Sequence, residues 1–225
     1  MIADNLQRVR ARISDACLAS ARSQGSVTLL AVSKTFGADA VREAHANGQI
    51  AFGENYIQEA VDKITSLANL PLQWHCIGPI QSNKTRLVAG HFDWVHSVER
   101  LKIAQRLSEQ RPAGKAPLQI CIQVNIDNGP NKAGVAPEAV LELAQQIQAL
   151  PHLQLRGLMT IPEPAADFAA ACAVHARARQ LFDALNAQGL GLDTLSMGMT
   201  ADLEAAIQSG SSMVRVGSAI FGKRE

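Results

Sequence analysis

In the stretch "TLLAVSKTFGADAV", residues 28–41, a lysine stands directly behind an apolar run. An ammonium at the end of a buried strand is costly unless it is paired, reaches water, or is not kept as an ammonium. Lys34 therefore admits two readings. In one it snorkels outward or pairs with a carboxylate such as Glu54. In the other, desolvation and nearby cations lower its pKa, so that the neutral amine attacks a carbonyl and forms a Schiff base. Arg215, in "MVRVG", poses the same problem. It is either a structural arginine paired with a carboxylate or a cation set against a ring nitrogen or an anionic group of a ligand.

Two further segments carry anion chemistry. In "SMGMTADLEAAI", residues 196–207, Thr200 is placed as the N-cap of a helix over 201–209, whose unpaired N–H groups and dipole favour an anion. Gly198 permits close backbone approach. In "RVGSAIFG", residues 215–222, Gly217 and Ser218 add two amides and a hydroxyl. The plainer alternative is that Gly198 and Gly217 serve only tight strand–helix turns. Asp202 and Glu204 suit a helix start but would repel a phosphate if they faced it. A lysine on one side and a phosphate cradle on the other is what an aldehyde-bearing phosphate ester needs, and pyridoxal 5′-phosphate is the candidate of that kind.

Other constellations are weaker. His75 is either a satisfied barrel histidine or a ligand contact. His91, Asp93 and His96 of "HFDWVH" do not share a strand face, so no metal site is expected there. The sequence holds no G-x-S-x-G elbow, no P-loop and no G-x-G-x-x-G after a strand.

The elements that must position these residues read as alternating strands and helices. Eight short runs rich in Val, Ile and Leu lie at 27–33, 50–53, 73–77, 92–97, 118–126, 154–159, 193–197 and 213–217, as parallel strands covered on both faces should. Helical patterns fall at 38–48, 55–68, 81–88, 99–111, 137–149, 165–188 and 201–209. Leu6, Val9, Ile13 and Cys17 give an additional amphipathic helix ahead of the first strand. Such alternation favours a (β/α)8 barrel or a doubly wound sheet. The expected fold is a single TIM-type barrel domain, residues 1–225, with an extra N-terminal helix. In a barrel, functional groups gather at the C-terminal strand ends, and phosphates bind at the loops after strands seven and eight. Lys34, Asn55, His75, the Ser196–Thr200 segment, Arg215 and the Gly217–Ser218 pair all fall at or near such ends.

Composition agrees with a compact α/β protein. The chain has 225 residues, is 47% hydrophobic and 18% charged, and carries a formal net charge of +1. That balance leaves no basic footprint for nucleic acid, and no apolar run approaches the ~18–20 residues that span a bilayer. Four scattered cysteines without a C-x-x-C pair fit free thiols in a reducing cytoplasm. The N-terminus lacks the apolar core of a secretory signal.

Taken together, "AVSKTF", "FGENYIQEA", "WHCIGPIQSNK", "SMGMTADLEAAI" and "VRVGSAIFG" resemble the YggS/PROSC family of pyridoxal-phosphate-binding proteins, the PLP homeostasis proteins, whose fold is similar to the N-terminal barrel of alanine racemase. The resemblance runs in order through nearly the whole chain. It implies that Lys34 is the Schiff-base partner of the cofactor and that Asn55 lies near the ring's 3-oxygen. It also implies a phosphate cradle made by Ser196 to Thr200, Met199 included, with Gly217 and Ser218, and places Arg215 against the pyridine nitrogen. An arginine there disfavours a protonated ring and weakens the electron sink that most such enzymes use. The chain departs from the family pattern at Cys76 and Ile80, with Pro79 between them, and at Phe36, where a second lysine is common. The lysine of the loop after strand five is kept as Lys132.

Two functions follow from the resemblance. One is a carrier that binds, buffers and delivers pyridoxal 5′-phosphate, with apo PLP enzymes as recipients. The other is an amino-acid racemase or lyase of low activity. Racemisation needs acid/base groups on both faces of a planar intermediate. Alanine racemase draws the second from an additional domain, whereas this sequence ends soon after strand eight and offers one tyrosine, Tyr56. The expectation is a non-catalytic monomer.

Overall fold

The computed structural model describes residues 1–129 and 132–222. Its first element is an amphipathic helix, α1 (Ile2–Ala19), which buries Leu6, Val9, Ile13, Ala16 and Cys17 along one face. Strand and helix then alternate: β1 (Thr28–Val32), α2 (Ala38–Ala46), β2 (Ala51–Glu54), α3 (Ile57–Ser66), β3 (Gln73–Cys76), α4 (Thr85–His91), β4 (Trp94–Val98) and α5 (Leu101–Gln110). The second half continues with β5 (Leu118–Val124), α6 (Val140–Gln148), β6 (Leu153–Thr160), α7 (Phe168–Ala187), β7 (Thr194–Ser196), α8 (Leu203–Gln208), β8 (Met213–Val216) and α9 (Ser218–Phe221). Each strand pairs in parallel with the next, and β8 returns to β1 to close the barrel. The expected TIM-type barrel with an extra N-terminal helix is the fold observed, and the doubly wound alternative is excluded.

Side chains alternate across each strand, one set toward the helices and one toward the barrel axis. On β1 and β2, Ala31 and Phe52 join the large core between strands and helices, while Leu30 and Ala51 meet Met213 in a small separate cluster. A second small cluster of Trp94, Cys121 and Met159 forms on β4, β5 and β6. Buried polar side chains share the same inward parity: His75, His96, Ser196 and Arg215. The apolar filling therefore stops short of the C-terminal rim, which is where a barrel carries its ligand.

Helix boundaries differ from the sequence reading in places. The patterns over 81–88 and 137–149 begin as short 3-10 turns, Ser82–Lys84 and Pro137–Ala139, before α4 and α6 proper. The helix expected over 201–209 is shorter, and its N-cap is Asp202 rather than Thr200. The side chain of Asp202 accepts the Met199 N–H at 2.7 Å, which holds Thr200 in the turn ahead of the helix. The turn-rich stretch 127–137 is described apart from residues 130 and 131. Among the described residues no helix is long and apolar enough to cross a membrane.

Candidate functional site

A cavity of about 540 Å³ opens at the C-terminal rim, within the usual range for small-molecule sites. Lys34, Asn55, Met199, Thr200, Arg215, Gly217 and Ser218 all line it. Its described wall holds two basic side chains, Lys34 and Arg215, and no carboxylate. The sequence pattern did not single out Val32, Ile77, Ile161, Ala201 or Gly222, which complete the wall with Phe36. Strand parity was the available signal: Val32 shares the inward face of Lys34, and Ile77 that of His75. His75 and Ser196 do not line the cavity. Both are fully buried in the barrel interior, where Ser196 meets Arg215 directly and His75 only through His96.

Lys34 follows β1 directly, and the turn after it is tight. Phe36 N–H donates to the Ser33 carbonyl at 3.0 Å, and Thr35 adopts a left-handed φ of 70°. Such a conformation is uncommon for a β-branched residue. Glu54 does not pair with Lys34; it lies on the helix-facing side of β2 and binds Lys63 at 2.6 Å. The Phe36 ring stacks on Phe221 of α9, with centroids 5.2 Å apart. An aromatic thus ties the β1 loop to the end of the barrel at the position where the family pattern often has a lysine.

Asn55 follows β2, and its placement depends on Gly78. A Cβ on Gly78 would come within 2.5 Å of the Asn55 carbonyl oxygen, so only glycine lets the two loops touch. The Asn55 Oδ1 atom is buried and has no hydrogen-bond partner among the described residues. An orphaned buried acceptor is costly, and here it sits on a residue of the cavity wall.

Arg215 is 4% exposed and is held by carbonyls and a hydroxyl. It donates to the Ser196 carbonyl and Ser196 Oγ at 2.8 Å each, and to the Thr160 carbonyl at 2.8 Å. No carboxylate is among those partners, so the structural-pair reading of this arginine is not the one observed. Burial pulls its guanidinium down to about 10, which leaves it a cation at neutral pH. Behind it, Ser196 Oγ lies 2.9 Å from His96 Nδ1, and His96 Nε2 lies 2.9 Å from His75 Nδ1. Burial lowers His75 to about 3 and His96 well below its ordinary value, with His75 and Arg215 adding to the latter. Both rings are neutral spacers at pH 7.

The β7–α8 loop is braced from two sides. His175 Nε2 meets Asp202 Oδ2 at 2.9 Å, and Asp202 Oδ1 takes the Met199 N–H. Arg12 of α1 forks onto Glu204 and also donates to the Thr200 carbonyl at 2.9 Å. Asp202 and Glu204 are thereby turned to cationic or histidine partners and do not line the cavity. Gly198 has a structural reason of its own: φ is 95°, and a Cβ would sit 2.4 Å from the Ala206 Cβ. Lys132 lies beside the wall, binding Asp127 at 3.0 Å, Glu163 at 3.1 Å and the Ile161 carbonyl at 3.1 Å. The residues of "HFDWVH" diverge. His91 binds the Leu87 carbonyl, Asp93 accepts from the Trp74 N–H, and His96 sits inside the barrel.

Comparison with known proteins agrees with this geometry. Residues 2–225 match the family described as alanine racemase, N-terminal domain. The chain belongs to that family. Within it, the pyridoxal phosphate homeostasis protein of Pseudomonas aeruginosa is 60% identical over 224 residues, covering 100% of this chain and 96% of the relative. PipY of Synechococcus elongatus, solved with PLP bound, is 38% identical with a TM-score of 0.86, covering 99% of this chain and 100% of PipY. Alanine racemase of Clostridium difficile shares the fold at 15% identity and a TM-score of 0.76, over 98% of this chain and 57% of the racemase. The alanine racemase N-terminal domain family is thus the one whose barrel the five quoted segments pointed to.

Proposed function

We propose that this chain binds pyridoxal 5′-phosphate at the rim cavity, holds it covalently through Lys34, and buffers and delivers it without turning over a substrate. The observation that carries the reading is one cavity with Lys34 and Arg215 in its described wall, no carboxylate there, and a buried orphan acceptor on Asn55. The two basic side chains fit an anionic compound, and the Asn55 oxygen fits a hydroxyl on it. The names of the 60% identical relative and of PLP-bound PipY support the same ligand.

When bound, pyridoxal 5′-phosphate supplies an aldehyde that condenses reversibly with a primary amine, and a phosphate dianion. In this reading Lys34 supplies the amine. Thr200, Gly217 and Ser218 hold the phosphate, where backbone amides at the starts of short helices complement an anion. Met199 contributes its side chain, because its N–H is already committed to Asp202. Asn55 accepts from the ring's polar edge. Arg215, fixed by Ser196 and Thr160, would supply a cation to the ring nitrogen. Ser196 acts by fixing Arg215, and His75 acts one step further back, through His96.

The carrier reading is favoured over racemase or lyase chemistry by the wall's composition. Its described residues include no His, Cys, Tyr, Asp or Glu to serve as a second acid or base. Tyr56 is exposed and outside the cavity. Cys76 and Cys121 are buried thiols pushed up to about 12, so they are not nucleophiles at neutral pH. The recipients we infer are apo enzymes that use the same cofactor. The working unit is a single chain in the cytoplasm, a compartment suited to its free cysteines.

Loading the purified chain with pyridoxal 5′-phosphate should give a visible absorbance band, and borohydride should fix the label on Lys34 by mass spectrometry. Lys34→Ala should abolish both. Failure of the wild-type chain to take up label would sink the proposal. Incubation of loaded protein with L-amino acids in deuterated buffer separates carrier from enzyme, because appreciable α-proton exchange would favour catalysis.

A further inference from the structure

Lys34 is flanked by residues tied to a buried ionic cluster that the proposed chemistry does not use. Ser33 Oγ donates to Glu54 Oε1 at 2.6 Å. Lys63 Nζ donates to the Ser33 carbonyl at 3.0 Å, to Glu54 Oε1 at 2.6 Å and to Glu59 Oε1 at 3.2 Å. Glu59 Oε1 accepts the Thr35 N–H at 2.8 Å. Both neighbours of Lys34 are thus gripped by one cluster, and Thr35 is the residue in the left-handed conformation.

Such a cluster is a poor choice for stability alone. Glu54 is fully buried and Lys63 is 6% exposed. Taking both charges out of water costs about as much as their attraction returns. Glu54 Oε2 is left without a partner among the described residues, and burial pushes the Glu54 carboxyl up against the pull of Lys63. Glu59 and Lys63 stand one turn apart on α3, and Glu54 ends β2. The cluster therefore fixes the β1 end from two neighbouring elements. Strained backbone persists only where its surroundings over-determine it, and it concentrates where a side chain must be aimed.

We propose that Lys63, Glu54 and Glu59 are positioning residues for Lys34, holding Ser33–Thr35 in the strained turn that presents the Lys34 amine to the cavity. The inference rests on the reading of Lys34 as the attachment residue. The step it controls is condensation of the Lys34 amine with an aldehyde, in which one C=N bond replaces the C=O bond and one water leaves. No oxidant or reductant is required. Orientation of the amine governs this step but has no bearing on ligands that cannot condense.

Two ligands separate the roles. Pyridoxal 5′-phosphate can attach to Lys34, whereas pyridoxine 5′-phosphate has the same phosphate and ring with an alcohol in place of the aldehyde. Glu59→Ala removes the Thr35 contact from a half-exposed helical position and keeps the Lys63–Glu54 pair. The double variant K63M/E54Q removes both buried charges together, so neither is stranded. Glu59→Ala should slow borohydride-trapped labelling of Lys34 roughly three- to tenfold, and the double variant more than about tenfold, the effect of losing one or more charge-assisted hydrogen bonds. Calorimetric affinity for pyridoxine 5′-phosphate should stay within about twofold. Labelling at the wild-type rate in both variants overturns the inference, as does an equal loss of both ligands. A wild-type chain that takes up no label overturns the parent reading and this inference with it.

Discussion

Arg215 has five N–H donors and no acceptor, and that sets the direction of every proton across the barrel interior. Ser196 Oγ must accept from Arg215, so its own hydrogen turns to His96 Nδ1. His96 then donates from Nε2 to His75 Nδ1, and His75 donates from Nε2 to Gln73 Oε1 at 3.1 Å. This order leaves both imidazoles neutral, in keeping with their burial-lowered pKa values. Ser196→Ala cuts the chain and strands His96 Nδ1, at an expected cost of about 1–3 kcal/mol in urea unfolding. In a His96→Leu background the same substitution should cost less, with a coupling of about 0.5–3 kcal/mol. Simple additivity of the two costs would show that the chain does not act as a unit.

At the scale of elements, the loops that carry the site are held by close backbone approaches as much as by helix caps. Gly78→Ala drives a Cβ into the Asn55 carbonyl. It should cost about 1–3 kcal/mol in urea unfolding, as overpacking does, and weaken pyridoxine 5′-phosphate binding through Asn55. Gly198→Ala meets two obstacles, a left-handed φ and the Ala206 Cβ. Adding Ala206→Gly relieves only the second, so the expected rescue is partial; full rescue would mean that the φ is unimportant. These approaches explain what was legible beforehand. Eight strands and the residues at their ends were readable because buried parallel strands are near-continuous apolar runs. Lys34, Asn55 and Arg215 stood out as polar residues interrupting or ending such runs. The sequence favours Thr200 as the cap because two residues separated only by Ala201, Thr200 and Asp202, both have capping chemistry. Only the fold shows that Asp202 takes the Met199 N–H. The four-residue α9 is too short for any periodicity. The Lys63 cluster was hidden for a different reason: its lysine lies on an ordinary amphipathic helix pattern, and burial of a charge is a tertiary fact.

The whole molecule places its weakest chemistry inside its strongest structure. Helix α1 packs against α2, α8 and α9, and its Arg12 reaches Glu204 and the Thr200 carbonyl. The N-terminal helix therefore buttresses the β7–β8 rim that lines the cavity. The barrel axis, by contrast, buries two histidines that the unfolded chain would protonate near pH 6.5. The sign follows from linkage: below 6.5 the unfolded state binds protons that the folded state refuses, so stability falls as pH falls from about 6.5 toward about 3. Each such histidine contributes a slope of up to about 1.4 kcal/mol per pH unit. The acid limb has a second, later part. Asp202 and Glu204 are held below their ordinary values of 3.8 and 4.5 by His175 and Arg12 against the opposing effect of burial. Their contribution is present above those ordinary values and fades only as pH drops through the lower folded ones. Urea unfolding at half-unit pH intervals should therefore show stability declining already between pH 6.5 and 5, before Asp202 and Glu204 titrate. His75→Phe, which keeps an aromatic against Trp94, should flatten that early slope by about one proton while leaving the later limb in place. A limb that begins only near pH 4.5, or one unchanged in His75→Phe, would mean that the barrel histidine does not set the acid stability of this fold.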